Sequence, residues 1–233
     1  MVVDVVNIVA IIPALNEEQS IQKVVSELIE LGTVDHVIVV NNGSTDNTSE
    51  IAQEAGAIVV DEQQKGYGAA CLRGITYIQD QGWQPSILFF IDADYSDYPQ
   101  DLPLILSPIQ RDQADIVIGS RTLGNLKRTG LTPQQRVGNW IATRLIKWKW
   151  GVQFTDLGPF RAIKYSQLDQ LQMQDKTYGW TVEMQLKALK NKLRVVEVPV
   201  RYRDRIGTSK ISGTLKGSVL AGYKILNLIF KYG

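Results

Sequence analysis

The sequence predicts an α/β protein: a mostly parallel sheet with helices on both faces, followed by a C-terminal amphipathic helix. Three observations carry this expectation. Apolar runs rich in β-branched residues alternate with helical stretches from residue 7 to residue 119. The runs are continuous, as in strands buried on both faces of a parallel sheet. One of them, Ile87-Leu88-Phe89-Phe90-Ile91, stops directly at the acidic turn Asp92-Ala93-Asp94, and in such sheets ligands bind just beyond the carboxyl ends of the strands.

Residues 7–12 read as the first strand and 17–31 as an amphipathic helix whose Glu17 and Glu18 favour its positive end. A second strand at 36–40 precedes a helix over 46–55, for which Ser44-Thr45-Asp46 supplies capping residues. A strand at 57–60, a helix over 67–79, a strand at 87–91, a helix over 102–110 and a strand at 115–119 complete the alternation. After Gly119 the rhythm breaks. Residues 121–133 form a basic loop, and 134–150 have helical spacing through Val137, Ile141, Leu145 and Trp148. A helix over 180–189 and a strand at 193–198 follow. The last stretch, 210–231, sets Ile211, Leu215, Val219, Leu226 and Phe230 on one broad face, interrupted by Lys216, Lys224 and Lys231. The expected organisation is a main domain over 1–210 and a helical extension over 211–233.

Composition narrows the class. With 233 residues, 44% hydrophobic and 21% charged, the chain suits a soluble domain with a sizeable core. The single cysteine, Cys71, excludes an internal disulfide and a multi-cysteine metal site, and fits a reducing compartment. Between Ala70 and Leu72 it is expected to pack as a small apolar residue, and His36, the one histidine, is expected to be structural. The start Met1-Val2-Val3-Asp4 lacks the basic opening of a secretory signal, and no uncharged apolar stretch reaches the about 18 residues of a membrane span. A cytoplasmic protein is expected, with peripheral contact at the cytoplasmic membrane face as the one membrane role left open.

The net charge of +1 conceals a division. Residues 1–120 hold 4 Lys/Arg against 18 Asp/Glu, residues 121–150 hold 7 basic and no acidic residues, and residues 201–233 hold 7 basic and 1 acidic. That pattern suits a cation-binding half and a region that meets phosphates or an acidic membrane surface. Nucleic acid is not expected, because no recognised binding motif accompanies the basic stretches.

Residues two apart in extended chain project to one side, so Asp92 and Asp94 can face one site. Paired oxygen ligands suit a hard divalent cation, Mg²⁺ or Mn²⁺, which held this way also binds substrate phosphates.

Six motifs appear in order: Ile12-Pro13-Ala14-Leu15-Asn16-Glu17-Glu18, Val40-Asn41-Asn42-Gly43-Ser44-Thr45-Asp46, Lys65-Gly66-Tyr67-Gly68-Ala69, Asp92-Ala93-Asp94, Asp156-Leu157-Gly158-Pro159-Phe160-Arg161 and Arg205-Ile206-Gly207-Thr208-Ser209-Lys210. Together they resemble the family 2 glycosyltransferases with the Rossmann-like GT-A fold, especially the dolichyl-phosphate mannose synthase branch. The resemblance implies a metal-dependent, inverting transfer of hexose from a UDP- or GDP-hexose to a polyprenyl phosphate; the alternatives are transfer to a soluble or protein hydroxyl with Glu183 as base, or a non-catalytic nucleotide-sugar-binding protein.

It also implies roles for residues. Pro13, Ala14, Asn16 and Glu17 would surround the base and ribose. Asn42 stands where the family usually has Asp; Asp only accepts a hydrogen bond, whereas Asn both donates and accepts, which leaves the base open. Lys65 and Gly66 would meet the diphosphate at a helix start. Asp92, with Ala93 beside it, would face the ribose or metal-bound water, and Asp94 would coordinate the cation. Asp156 would wall the sugar, with Arg161 after it, or form a buried ion pair. Glu183 falls where relatives with hydroxyl acceptors place a base; a phosphate acceptor needs none, so Glu183 would then orient a loop or bind the sugar. Arg205, Ser209 and Lys210 would hold phosphate groups, in a loop that also carries Arg201 and Arg203. Trp140, Trp148 and Trp150 among basic residues suit either a membrane interface or core packing.

Overall fold

The computed structural model describes residues 7–123, 132–207 and 215–232, with side chains of the last segment described from Gly222 onward. The first half follows the expected alternation: β1 (Ile8–Ala14), α1 (Ile21–Glu30), β2 (His36–Asn41), α2 (Thr48–Glu54), β3 (Ile58–Asp61), α3 (Tyr67–Asp80), β4 (Ile87–Phe90), α4 (Leu102–Gln110) and β5 (Ile116–Ser120). Then come α5 (Pro133–Trp150), β6 (Arg161–Lys164), α6 (Tyr165–Leu171), α7 (Trp180–Lys190), β7 (Val195–Pro199) and α8 (Leu215–Tyr232). One seven-stranded sheet runs β3-β2-β1-β4-β6-β5-β7. Its pairs are parallel except that β6 is antiparallel to both β4 and β5.

Side chains alternate across the sheet, so each strand feeds two cores. Val9 and Ile11 of β1 pack with Cys71, Ile75 and Ile78 of α3 and with Trp180 and Met184 of α7. Ile8, Ala10 and Ile12 pack with Val24, Val25 and Leu28 of α1 and Ile105 of α4. The sheet is therefore covered on both faces, which explains the unbroken apolar runs. Cys71 is buried and free, and His36 stacks on Trp83 with ring centroids 4.1 Å apart.

Two features depart from the sequence-based expectation, and the C-terminal helix is present as expected. β6 and α6 were not foreseen. The first helix starts at Ile21 rather than at 17: Asn16 has φ 53°, and the Glu17 amide donates to Thr48 Oγ1 at 2.8 Å, so residues 15–20 form a turn held to the neighbouring loop. α8 packs on α5 and α7, and Leu228 and Ile229 enter the same core as Trp180. No helix among the described residues is long and apolar enough to cross a membrane. α5 opens with a capping box, in which Thr132 Oγ1 accepts from the Gln135 amide and Gln135 Oε1 accepts from the Thr132 amide.

Candidate active site

An open cleft of about 340 Å³ lies where β1, β2 and β4 end. Pro13, Ala14, Leu15 and Glu17 line it after β1, Asn42 after β2, and Asp92, Ala93 and Asp94 after β4. Lys65, Gly66, Tyr67 and Ala70 come from the start of α3, Thr177 and Tyr178 from the loop before α7, and Arg205 from the segment after β7. Most of the residues singled out from the sequence thus converge on one cleft.

The acidic pair is under electrostatic tension. Asp94 is 4% exposed; its Oδ1 accepts from the Ser96 amide at 2.9 Å and hydroxyl at 2.5 Å, and its Oδ2 lies 3.1 Å from Arg205. Burial, then the Asp94 charge, pushes the Asp92 carboxyl up to about 7, against the opposing pull of Tyr67 and Arg205. Asp92 Oδ1 has no hydrogen-bond partner among the described residues. An unpartnered oxygen and two repelling carboxylates fit a divalent cation. No group of three His, Cys, Asp or Glu able to hold a metal occurs among the described residues. A cation here would therefore complete its shell from water and substrate oxygens, the habit of Mg²⁺. The buried Asp97 carboxyl has no hydrogen-bond partner among the described residues, and burial followed by the Asp92 charge drives it well above the usual range, which favours its neutral form.

Arg205 bridges the cleft, with Nη2 3.1 Å from both Glu17 Oε1 and Asp94 Oδ2, while the Ile206 amide donates to the Asp94 carbonyl at 3.0 Å. Arg201 and Arg203 have other partners. Arg201 pairs with Asp101 at 2.7 Å, and Arg203 stacks 3.3 Å from the Tyr95 ring centre.

Asn42 is 4% exposed and its amide is fully oriented. Nδ2 donates to the Glu62 carbonyl at 3.1 Å and the Gln64 carbonyl at 2.8 Å, and Oδ1 accepts from the Gly66 amide at 2.7 Å. Asp could not supply those two donors, so asparagine matches the fold of the 62–66 loop. Gly66 itself has φ 147°, and a Cβ there would lie 2.1 Å from the Lys176 carbonyl oxygen. Only glycine lets the 175–178 backbone press on the start of α3, where Gly68 and Ala69 donate to the Thr177 and Lys176 carbonyls at 3.3 and 3.0 Å.

Several expected site residues lie elsewhere. Asn16 is outside the lining and ties two loops together, its Oδ1 accepting from the Thr45 amide at 2.8 Å. Asp156 is fully buried in a bidentate pair with Arg121, at 2.7 Å (Nε to Oδ2) and 2.8 Å (Nη2 to Oδ1), the ion-pair alternative raised from the sequence. Burial opposes ionisation of Asp156, yet the Arg121 charge and hydrogen bonds outweigh it and hold the carboxyl below its ordinary value. Arg161, fully buried at the start of β6, donates to the carbonyls of Gly158 and of Thr181 (2.7 Å), and burial lowers its guanidinium to about 10.

Glu183 is 1% exposed and absent from the lining. Its oxygens accept from the amides of Gln174 (3.1 Å) and Asp175 (2.7 Å), from Lys187 (2.9 Å) and from the Tyr232 hydroxyl (2.9 Å). Both oxygens are taken in this arrangement, which favours the loop-orienting reading of Glu183 over the base. Ser209 and Lys210 lie outside the described residues.

The sequence reading missed Tyr67, Thr177 and Tyr178 as lining residues. Tyr67 sat inside a quoted motif, so its place beside Lys65 and Gly66 was a usable signal. Trp140 and Trp148, for which core and surface readings were both open, are 59% and 76% exposed.

A model described as glycosyl transferase family 2 matches residues 9–171. The chain belongs to that family. The UDP-N-acetylglucosamine–dolichyl-phosphate N-acetylglucosaminyltransferase of Methanococcus voltae is 31% identical, over 92% of this chain and 91% of its own length. The undecaprenyl-phosphate mannosyltransferase of Micrococcus luteus is 27% identical, over 91% of this chain and 90% of its own. The crystal structure of glucosyl-3-phosphoglycerate synthase from Mycobacterium tuberculosis with Mn²⁺, UDP and glucosyl-3-phosphoglycerate superposes with a TM-score of 0.76 at 21% identity, covering 97% of this chain and 79% of that one. The architecture is thus the GT-A fold, and this family 2 member is a glycosyltransferase.

Proposed function

We propose that this glycosyltransferase moves a hexose, with inversion, from a UDP- or GDP-hexose to a polyprenyl phosphate, using Mg²⁺ or Mn²⁺. The observation that carries the reading is the convergence of Asp92 and Asp94 at the end of β4 with Lys65, the α3 N-terminus and Arg205 around one cleft. The sugar nucleotide lies with its base against Pro13, Ala14 and Asn42 and its diphosphate between Lys65 and Arg205. The start of α3 beside Lys65 adds the positive end of its dipole, while its Gly68 and Ala69 amides are taken by the Thr177 and Lys176 carbonyls. Asp92 and Asp94 would hold the cation, which would supply positive charge against the departing diphosphate. Arg205, 3.1 Å from Asp94 Oδ2, stands where its guanidinium would meet the diphosphate. The acceptor phosphate oxygen attacks the anomeric carbon as the bond to the diphosphate breaks, and the nucleotide leaves with the electron pair. An ionised phosphate needs no general base, consistent with the enclosure of Glu183.

The acceptor is supported by two relatives named for undecaprenyl and dolichyl phosphate. With that acceptor the protein would work peripherally at the cytoplasmic membrane face. Incubation of purified protein with radiolabelled UDP- and GDP-hexoses and polyprenyl phosphate in liposomes tests it. Label in the lipid fraction supports the reading; transfer only to soluble hydroxyl acceptors refutes the acceptor.

A further inference from the structure

α5 and α8 present matching exposed stripes. On α5, Val137, Trp140, Ile141, Arg144 and Trp148 recur at helical spacing and are exposed. On α8, Tyr223, Leu226 and Phe230 do the same. The stripes meet where Lys149 Nζ lies 5.1 Å from the Phe230 ring centre and bonds its carbonyl at 3.4 Å. Neither helix contains an acidic residue, while α5 carries Arg136, Arg144, Lys147 and Lys149, and α8 carries Lys231 next to Phe230. Exposed tryptophan and phenylalanine among basic side chains complement an anionic lipid surface, where rings sit at headgroup depth and cations meet phosphates.

The inner side of α8 contacts two carboxylates behind the loop that lines the cleft. Tyr232 donates to Glu183 Oε1, and Lys224 Nζ lies 2.9 Å from Asp175 Oδ2. Those two carboxylates shape the loop before α7. Glu183 takes the amides of Gln174 and Asp175, and Asp175 Oδ1 takes those of Thr177 (2.8 Å) and Gly179 (3.2 Å). The same loop lines the cleft with Thr177 and Tyr178 and packs on Gly66 and Gly68.

We propose that α8 is a latch seated on an anionic lipid surface: the α5–α8 stripes dock on the bilayer, and Tyr232 and Lys224 carry that contact to the cleft loop. Docking immobilises α8, which holds the loop in its cleft-lining form, so membrane contact strengthens nucleotide binding. Glu183 is then a positioning residue. The inference rests on the cleft being the donor site.

Linkage makes the test reciprocal: whatever vesicles do to nucleotide affinity, nucleotide must do to vesicle affinity. The full chain is titrated with UDP or GDP plus Mn²⁺, in solution and on phosphatidylcholine vesicles with or without phosphatidylglycerol, all lacking polyprenyl phosphate. Vesicle partition is read separately by sedimentation. Phosphatidylglycerol vesicles are expected to tighten nucleotide binding about fivefold, and nucleotide to tighten vesicle binding equally. The Trp148→Ser/Phe230→Ser variant should lose partition and the gain while keeping its affinity in solution. Tyr232→Phe should partition like the unaltered chain and lose most of the gain. Vesicle binding with no change in nucleotide affinity overturns the latch, as does a full gain in Tyr232→Phe. Equal partition onto vesicles lacking phosphatidylglycerol, or a dimer dissolved by Trp148→Ser, overturns the anionic surface as occupant. Partition without nucleotide binding under any condition overturns instead the reading of the cleft.

Discussion

Replacing Glu183 with glutamine keeps the side-chain shape and removes the charge, so it separates a strut from a catalytic base. The carboxylate is 1% exposed and receives four groups, the Gln174 and Asp175 amides, Lys187 and the Tyr232 hydroxyl. Glutamine must turn its NH₂ toward some of these donors, and it leaves the Lys187 ammonium, itself 7% exposed, with the Gln172 carbonyl as its remaining partner. Breaking a buried pair from one side costs about 3–5 kcal/mol; the retained carbonyl contact puts the loss near the lower end, about 3 kcal/mol. For a chain of this size that lowers Tm by roughly 6–12 °C. Thermal unfolding followed by circular dichroism measures the shift, and kcat is taken well below the variant's Tm. A strut predicts the lowered Tm with kcat reduced no more than about tenfold, whereas loss of a general base costs about 10²–10⁴-fold. An unchanged Tm with a thousandfold loss of kcat would refute the reasoning.

The remaining predictions concern the ion pair and the loops around the cleft. Arg121→Met leaves Asp156 buried without its guanidinium and should cost about 3 kcal/mol in urea unfolding at pH 7. Because the Asp156 carboxyl is held below its ordinary value, its contribution is present above the unfolded value of about 4 and fades as pH falls below it; the gap between variant and unaltered chain should therefore narrow in acid, and a gap that widens would contradict the pairing. Gly66→Ala places a Cβ 2.1 Å from the Lys176 carbonyl oxygen, so the loop must move and nucleotide affinity by calorimetry should fall at least about tenfold, roughly 1.4 kcal/mol. Asn42→Asp sets a carboxylate against the Glu62 and Gln64 carbonyls and should destabilise the chain by about 1–3 kcal/mol; an increase in stability would show that the amide network is not as described.

Much of the architecture could be read from the chain because the strands of the first half, β1 to β5, each announce themselves by a run of consecutive apolar residues. The cleft was legible for the same reason: Asp92, Asn42 and Pro13 stand where such runs stop. β6 escaped because Arg161-Ala162-Ile163-Lys164 has only four residues, is flanked by basic side chains, and inserts antiparallel between β4 and β5 out of chain order. Arg161 looked like a ligand residue because nothing local reveals that its guanidinium reaches the Thr181 carbonyl, 20 positions away. Arg201 and Arg203 read as phosphate binders for a similar reason, since Asp101 and Tyr95 lie about a hundred positions earlier. Glu183 shared the motif of the cleft loop but faces that loop's backbone. Motif position gave its neighbourhood and not its direction.

The role of the acidic pair is tested most directly by calorimetric titration of UDP and GDP with and without Mn²⁺, in the unaltered chain and in Asp94→Asn. The account predicts that Mn²⁺ tightens binding of one nucleotide at least about tenfold, about 1.4 kcal/mol, and that Asp94→Asn abolishes the gain while retaining its fold by circular dichroism. Equal affinity with and without Mn²⁺ in the unaltered chain, or an undiminished gain in Asp94→Asn, would contradict it.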